Sequence, residues 1–437
     1  MTTLRTALLA LLVSCSAAFA AEPLPPRPLT LVEATDLAMR NNPSTRSAWA
    51  QVRATEAAET IARAGYWPTI AASYSLQRLK QLAFEGNQVP WQTRYGPSVS
   101  VNWLLLDFGQ RGGGTDRAHA EAIAQRFTQT QSLQDLLLTV ESAYYAVIGA
   151  RGVELASKLS LEEAQANADA ADSRRKSGVA TIGDVYQAQA ALAAATTTMQ
   201  QAEGSRVIAE GALAVALGYA PDTTIQLAEW HPPENPELPA QSVQQMLEGA
   251  RTARPELLAA KAREQAAEAA VRQARSGNWP QLSLSGSASR TTIEGRGTAN
   301  SYSGGLRVDL PIFSGFSVQG AIDQAKASVD QSQADNETLR LSVEQQVWVA
   351  YQNVQTSRKG LDAARAQLKA ADQAADAIRA RYRTGLSSIL EVLTTEQALA
   401  QARIADVQAG INWYQSLSQL GHDAGGLAAP AASPGEH

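Results

Sequence analysis

The chain has 437 residues, with 37 Lys and Arg against 42 Asp and Glu and a formal net charge of −5. No basic stripe is present, so the electrostatic footprint of a nucleic-acid partner is missing and none is expected. Alanine, glutamine and small polar residues dominate and aromatics make up only 6%, which suits close helix packing rather than a core of bulky side chains.

Residues 1–20 contain Arg5, an apolar run from Ala7 to Val13 and Ala18-Phe19-Ala20. This is the layout of a cleaved secretory signal, too short to span a bilayer. The single cysteine, Cys15, lies inside it, and Leu12-Val13-Ser14-Cys15 also resembles a lipoprotein cleavage box. Cleavage after Ala20 leaves no thiol, hence no disulfide and no thiolate metal site. Lipidation of Cys15 is the alternative.

After a proline-rich leader, residues 29–220 read as a first structural repeat. Leu29 to Ala64 has helical periodicity, interrupted at Asn42-Pro43 by a kink or a restart. Gly65-Tyr66-Trp67-Pro68 closes it, and the apolar period then drops to two. Ile70, Ala72, Tyr74 and Leu76 alternate with Ala71, Ser73, Ser75 and Gln77, and Val99, Val101, Trp103 and Leu105 alternate with Ser98, Ser100, Asn102 and Leu104. Strands are predicted at about 69–78 and 97–106. A helical rod follows at about 109–175; its 67 residues would be about 100 Å long. No compact domain needs such a rod. A turn at Gly178 leads to a returning helix at about 181–217, and prolines mark a connector at 221–240.

The series then starts again over 241–420. Arg254-Pro255 stands for Asn42-Pro43, and Gly277-Asn278-Trp279-Pro280 for Gly65-Tyr66-Trp67-Pro68, both 212 residues on. Strands are predicted at about 281–290 and 303–312, with long helices at about 316–382 and 386–420. Gly109 matches Gly315 at 206 residues, which makes the first hairpin loop, around Phe84 to Tyr95, the longer one. Gly178 and Gly385 match at 207 residues, together with Ile182 and Ile389, Asp184 and Glu391, and Val185 and Val392. Residues 421–437 read as a disordered tail.

Four strands with one apolar and one mostly polar face suit a membrane β-barrel with a wet interior, but four cannot close a barrel alone. Several protomers would be required; two give eight strands and three give twelve. Trp67, Trp91, Tyr95, Trp103, Trp279 and Tyr302 lie at or near strand ends, where interfacial aromatics belong. A soluble amphipathic sheet on a coiled-coil protein satisfies the same alternation.

The whole order, from Leu29-Thr30-Leu31-Val32-Glu33-Ala34 and Asn41-Asn42-Pro43 through both Trp-Pro-led hairpins and Leu310-Pro311-Ile312-Phe313-Ser314-Gly315 to the two Gly-centred turns, resembles the TolC-like outer membrane efflux proteins of Gram-negative bacteria. No single motif is specific; their order and duplication are. The resemblance implies a mainly α chain with a membrane β-barrel: a homotrimer closing a twelve-stranded barrel in the outer membrane, continued by a long α-helical periplasmic tunnel. It further implies an exit duct for efflux or type I secretion. The implied partners are outer-membrane lipid, a periplasmic adaptor, and an inner-membrane RND pump or ABC exporter. A periplasmic adaptor or structural coiled-coil protein is the alternative, although an adaptor would normally carry one helical hairpin rather than the series twice.

In this family the mouth of the duct lies where the two turns converge. Asp184 and Glu391, just after the turns, would form carboxylate rings about a threefold axis, attracting cations. Thr181-x-x-Asp184 and Ser388-x-x-Glu391 equally fit helix capping boxes. Tyr382 matches a family tyrosine involved in closing contacts. At Ser387 the best-known member has arginine and at Thr394 aspartate, so fewer charged links are expected here. Gly178 and Gly385, with Arg174 and Arg381 beside them, mark the turns that the family uses to dock the adaptor; the plain reading of the glycines is helix termination. Asn102, Arg307 and Asp309 fall on the polar strand face, as pore lining or as solvated groups.

Catalysis has little support. His119, His231, His422 and His437 are scattered, and Gly112-Gly113-Gly114 lacks the lysine and spacing of a phosphate-binding loop. No cofactor or metal is expected.

Overall fold

The computed structural model describes residue 24 and residues 27–80, 91–228 and 241–426. The expected signal with Cys15, loop residues 84–90, most of the connector and the tail beyond 426 lie outside the described residues. The chain runs α1 (Leu31–Asn41), α2 (Pro43–Ala64), β1 (Thr69–Leu79), β2 (Gln92–Leu106), α3 (Gln110–Lys176) and α4 (Ile182–Ala216). It then repeats the order as α5 (Val243–Ala253), α6 (Pro255–Arg275), β3 (Gln281–Ile293), β4 (Gly297–Asp309), α7 (Ser317–Arg383) and α8 (Ile389–Asp423).

Pro43 and Pro255 each begin a helix, so both interruptions are restarts rather than kinks. Proline suits that position because its fixed φ is already helical and its missing N–H would have no partner in the first turn. The asparagines before Pro43 add a second function. Asn42 Oδ1 accepts from the Ser44 amide at 2.9 Å, while Asn42 Nδ2 donates to the Ala216 carbonyl at 2.8 Å and Asn41 Nδ2 to the Leu217 carbonyl at 3.2 Å. The pair thereby satisfies carbonyls that the end of α4 would otherwise leave open.

Several boundaries differ from the sequence pattern. β2 begins at Gln92 rather than 97, so part of the expected loop, up to Tyr95, is strand. β4 spans Gly297–Asp309 and stops short of 312, because Pro311 has no N–H to continue a ladder. Tyr302 is consequently in the middle of β4, not at its end. Finally α8 passes Gly421 and ends at Asp423, where His422 Nε2 meets Asp135 Oδ1 of α3 at 2.9 Å and its Nδ1 meets Asp423 Oδ1 at 2.9 Å.

The strands form one antiparallel sheet in the order β1-β2-β3-β4. Facing residues of antiparallel strands project to the same side, so the register decides whether the four alternations agree. Ala72, Val99, Ala288 and Tyr302 lie in one row, and Trp103, Leu284 and Leu306 in another. Thr69, Asn102, Ser285 and Gly305, and Ser73, Ser98, Ser289 and Ser301, form rows of the opposite face. One side is therefore apolar across the sheet. Within a single chain Ile70, Tyr74, Tyr302 and Leu306 remain between 67% and 77% exposed, more contiguous apolar surface than a protein normally leaves to water. Among the described residues no helix is long and apolar enough to cross a membrane.

Packing divides the chain into two units that do not coincide with the sequence repeats. One comprises the described residues up to 46, those within 132–246 and those from 347 on. Its core joins Leu29, Ala34, Leu37 and Ala38 to Val140, Tyr144 and Val147 of α3 and to Leu213 and Leu217, and a short parallel bridge pairs Leu29 with Leu227. Each fully buried leucine or valine there contributes about 1.5–3 kcal/mol. The other unit, residues 47–131 and 247–346, holds the sheet, α2, α6 and the adjoining ends of α3 and α7. There Gly113 belongs to α3, not to a phosphate loop: a Cβ on it would lie 2.7 Å from the Gln273 amide nitrogen, so glycine permits α3 and α6 to touch.

Candidate functional site

The two inter-helix turns are built alike. Gly178 has φ +78°, its amide donates to the Arg175 carbonyl at 2.9 Å, and the Val179 amide donates to Arg174 at 3.0 Å. Gly385 has φ +80°, its amide donates to Tyr382 at 3.1 Å, and the Leu386 amide donates to Arg381 at 2.9 Å. Both glycines take the left-handed conformation that closes off the last helix carbonyls. Nothing lies within 4 Å of a Cβ built on either, so backbone conformation and not crowding selects glycine.

The acids after the turns are not equivalent. Asp184 completes a capping box: its Oδ2 accepts from the Thr181 amide at 2.8 Å and from Thr181 Oγ1 at 3.0 Å, while its own amide donates to Thr181 Oγ1 at 3.2 Å. Glu391 completes half of one. Its amide donates to Ser388 Oγ at 3.2 Å, but its carboxylate accepts from the Ser387 hydroxyl instead of returning to the Ser388 backbone. Glu391 remains exposed. Thr394 turns its hydroxyl back onto its own helix, to the Leu390 carbonyl at 2.9 Å and the Glu391 carbonyl at 3.1 Å.

The turns themselves are brought together by Arg174 and Tyr382, with the guanidinium carbon 4.2 Å from the ring centroid. Arg381 serves its own turn, donating to the Leu386 carbonyl at 3.1 Å. Behind them a groove of about 540 Å³ is lined by Glu163, Asn167, Arg174, Arg379, Tyr382 and Glu396. Arg379 bonds Glu396 through Nε at 2.5 Å and Nη2 at 2.9 Å, Asp376 through Nη1 at 3.0 Å, and Glu163 of α3 through Nη2 at 3.0 Å. The Glu396 hydrogen bond, followed by desolvation in the opposite sense, leaves its proton held more tightly than in an ordinary arginine. This cluster has no local sequence signature, because Glu163 and Arg379 stand 216 residues apart.

In the sheet, Asn102 sits beside Thr69 and Ser285, Arg307 beside Ser283 and Asp309 beside Gln281, all on the polar face. No ion pair joins Arg307 and Asp309 among the described residues. Where β2 passes into α3, Arg111 was not singled out by sequence yet organises the junction. It bonds Asp107 Oδ2 through Nε at 2.8 Å and the carbonyls of Leu104, Leu105 and Gly65, and lies over the Tyr66 ring. Phe108 stacks on Trp279 with centroids 5.6 Å apart, and both stay exposed.

Residues 34–219 and 246–426 match the family model described as outer membrane efflux protein. The chain belongs to the outer membrane efflux protein family. Protein CyaE of Bordetella pertussis is 32% identical over 379 residues, covering 86% of this chain and 79% of its own. Outer membrane efflux protein BepC of Brucella suis is 28% identical over 419 residues, covering 93% and 89%. The solved structure of the outer-membrane channel OprN superposes with a TM-score of 0.80 at 25% identity, covering 91% of this chain and 90% of that one. Membership of this efflux family places the chain in the outer membrane as an exit duct and favours that reading over a periplasmic adaptor. The family is one of transport proteins.

Proposed function

We propose that three copies of this chain close their sheets into one twelve-stranded barrel bearing its apolar face to outer-membrane lipid, and that the Gly178 and Gly385 turns form the periplasmic mouth. The observation that supports this most is the sheet: four alternations in phase, and outer edges of β1 and β4 without a partner strand among the described residues. An unpaired edge is a template for another chain, and four strands are too few to close alone.

The mouth receives cargo from an adaptor and an inner-membrane RND pump or ABC exporter, with Gly178, Gly385, Arg174 and Arg381 on the docking turns. Glu391, exposed and only half committed to its cap, is the cation filter there, whereas Asp184 acts first as a cap. Asn102, Arg307 and Asp309 line the wet interior of the barrel.

Single-channel recording of the detergent-extracted oligomer in a planar bilayer, with Glu391→Ala alongside, tests the proposal. Steady cation-selective openings that lose selectivity in the variant are expected. A folded oligomer without conductance would count against the duct, and unchanged selectivity in Glu391→Ala would remove the filter while leaving the duct.

A further inference from the structure

At the turns, the acids are satisfied inside their own hairpins: Asp184 by Thr181, Glu391 by Ser387. At the turns themselves Arg174 meets Tyr382 across the α3–α4 and α7–α8 hairpins, and among the described residues no ion pair crosses there. Both side chains are half-buried, so this cation–ring contact is weaker than it would be in a fully desolvated site. Moving back from the turns along α3, the first ion pairs to cross, among the described residues, are those of Glu163.

Glu163 is the one α3 carboxylate in a cluster whose other members all stand on α7 and α8. Its Oε1 accepts from Arg379 Nη2 at 3.0 Å and from Arg403 Nη2 at 3.0 Å, and its Oε2 from Arg403 Nη1 at 2.8 Å. Arg403 therefore grips it with two prongs, the geometry that makes guanidinium–carboxylate pairs strong. The side chains of Glu163, Arg379, Arg403 and Glu396 are 28%, 26%, 19% and 11% exposed, so bulk screening reaches them less than it reaches a surface pair. Arg379, one helical turn before Tyr382, would still be paired with Glu396 and Asp376 if Glu163 were neutral. Arg379 thus keeps partners within the α7–α8 hairpin, whereas Arg403 pairs with Glu163 alone among the described residues, so Glu163 joins both arginines to α3.

We infer that Glu163, held by Arg379 and Arg403, is the clasp that keeps the α7–α8 hairpin closed against α3, and that it positions the mouth from behind the turns. The inference rests on the duct reading above. It moves the main closing link away from the positions of Ser387 and Thr394, whose hydroxyls here bond within their own hairpin.

The test compares purified, assembled wild type with Glu163→Gln and Asp376→Asn in a planar bilayer, with the unfolding midpoint of each measured in parallel. Glu163→Gln is expected to raise conductance or open time several-fold. Asp376→Asn, which removes a bond to the same arginine from within α7, is expected to conduct as wild type does. Should Glu163→Gln not assemble, Arg403→Gln removes the two-pronged grip from the other side and is expected to shift conductance in the same direction. Wild-type channels with unchanged Glu163→Gln, or an equal rise in Asp376→Asn, overturn the clasp and leave the duct standing. Assembled proteins that never conduct overturn both.

Discussion

Arg174 lies in the last turn of α3 and Tyr382 in the last turn of α7, and the guanidinium carbon of the first stands over the ring of the second, 4.2 Å from its centroid. Both belong to the last turn before a left-handed glycine, so a change in either hairpin's twist must move this pair. Arg174→Ala and Tyr382→Ala are expected to couple by about 0.5–1 kcal/mol in a double-mutant cycle read by denaturant unfolding. Tyr382→Phe should retain the coupling, since the ring face and not the hydroxyl makes the contact. A coupling of zero with folded variants would mean that the pair is not maintained in solution.

Gly178 and Gly385 carry a different kind of constraint, one of backbone alone. Alanine at either position is expected to cost about 1–2 kcal/mol, because an L-residue's Cβ then crowds the following carbonyl oxygen in the left-handed conformation. Asparagine should cost less, since its short polar side chain tolerates that region. Unfolding midpoints of Gly385→Ala and Gly385→Asn check the order; equal losses would point to crowding, which the open surroundings of both glycines argue against.

At the strand-to-helix junction the expected effect is larger. The side chains of Arg111 and Asp107 are 12% and 8% exposed, and the Asp107 carboxylate also accepts from the Arg111 amide at 2.8 Å. Arg111→Ala leaves that carboxylate buried without its cation, at a cost of about 3–5 kcal/mol. Asp107→Asn should be milder, because an amide oxygen can still accept from the Arg111 amide. Thermal unfolding and the yield of assembled oligomer would show the difference; a mild Arg111→Ala phenotype would mean that water reaches Asp107.

The contrast between glycines and arginines also marks what could be seen in the sequence. The order of elements, the turn glycines and the sheet faces follow periodicities of 3.6 and 2, which any single stretch displays. Leu104 even falls on the polar face as the alternation requires, paired with Ser283. The strand ends were less visible, since Gln92 to Tyr95 read as polar loop until a partner strand supplies hydrogen bonds. Charged clusters were hidden altogether. Glu163, Arg379 and Arg403 become neighbours only once α3, α7 and α8 pack together, and Arg111 looks like any helix arginine until its guanidinium finds the carbonyls of Leu104 and Leu105. The two acids were legible as a pair by their offset, but their inequality was not. Thr181 and Ser388 both open a capping box, and only the placement of Ser387 decides that Glu391 leaves its box unfinished.

Asp406 provides a test in pH. It stands on α8 at a cavity of about 610 Å³ that Arg365, Val407 and Tyr414 also line, and its Oδ1 is buried without a hydrogen-bond partner among the described residues. Burial raises its carboxyl above the ordinary 3.8, and the charge of Arg365 offsets part of that. A carboxyl raised in the folded state binds its proton more tightly there than in the unfolded chain, so stability falls as pH rises from the unfolded value through the folded one. Above that window the ionised group costs its full desolvation, and below it the cost is absent. Asp406→Asn is therefore expected to raise the unfolding midpoint at pH 7 and to give no gain below the ordinary carboxylate range. Wild type and variant should converge as pH falls through the window between the two values. A gain that persisted undiminished in acid would assign the effect to packing of the amide and not to the charge.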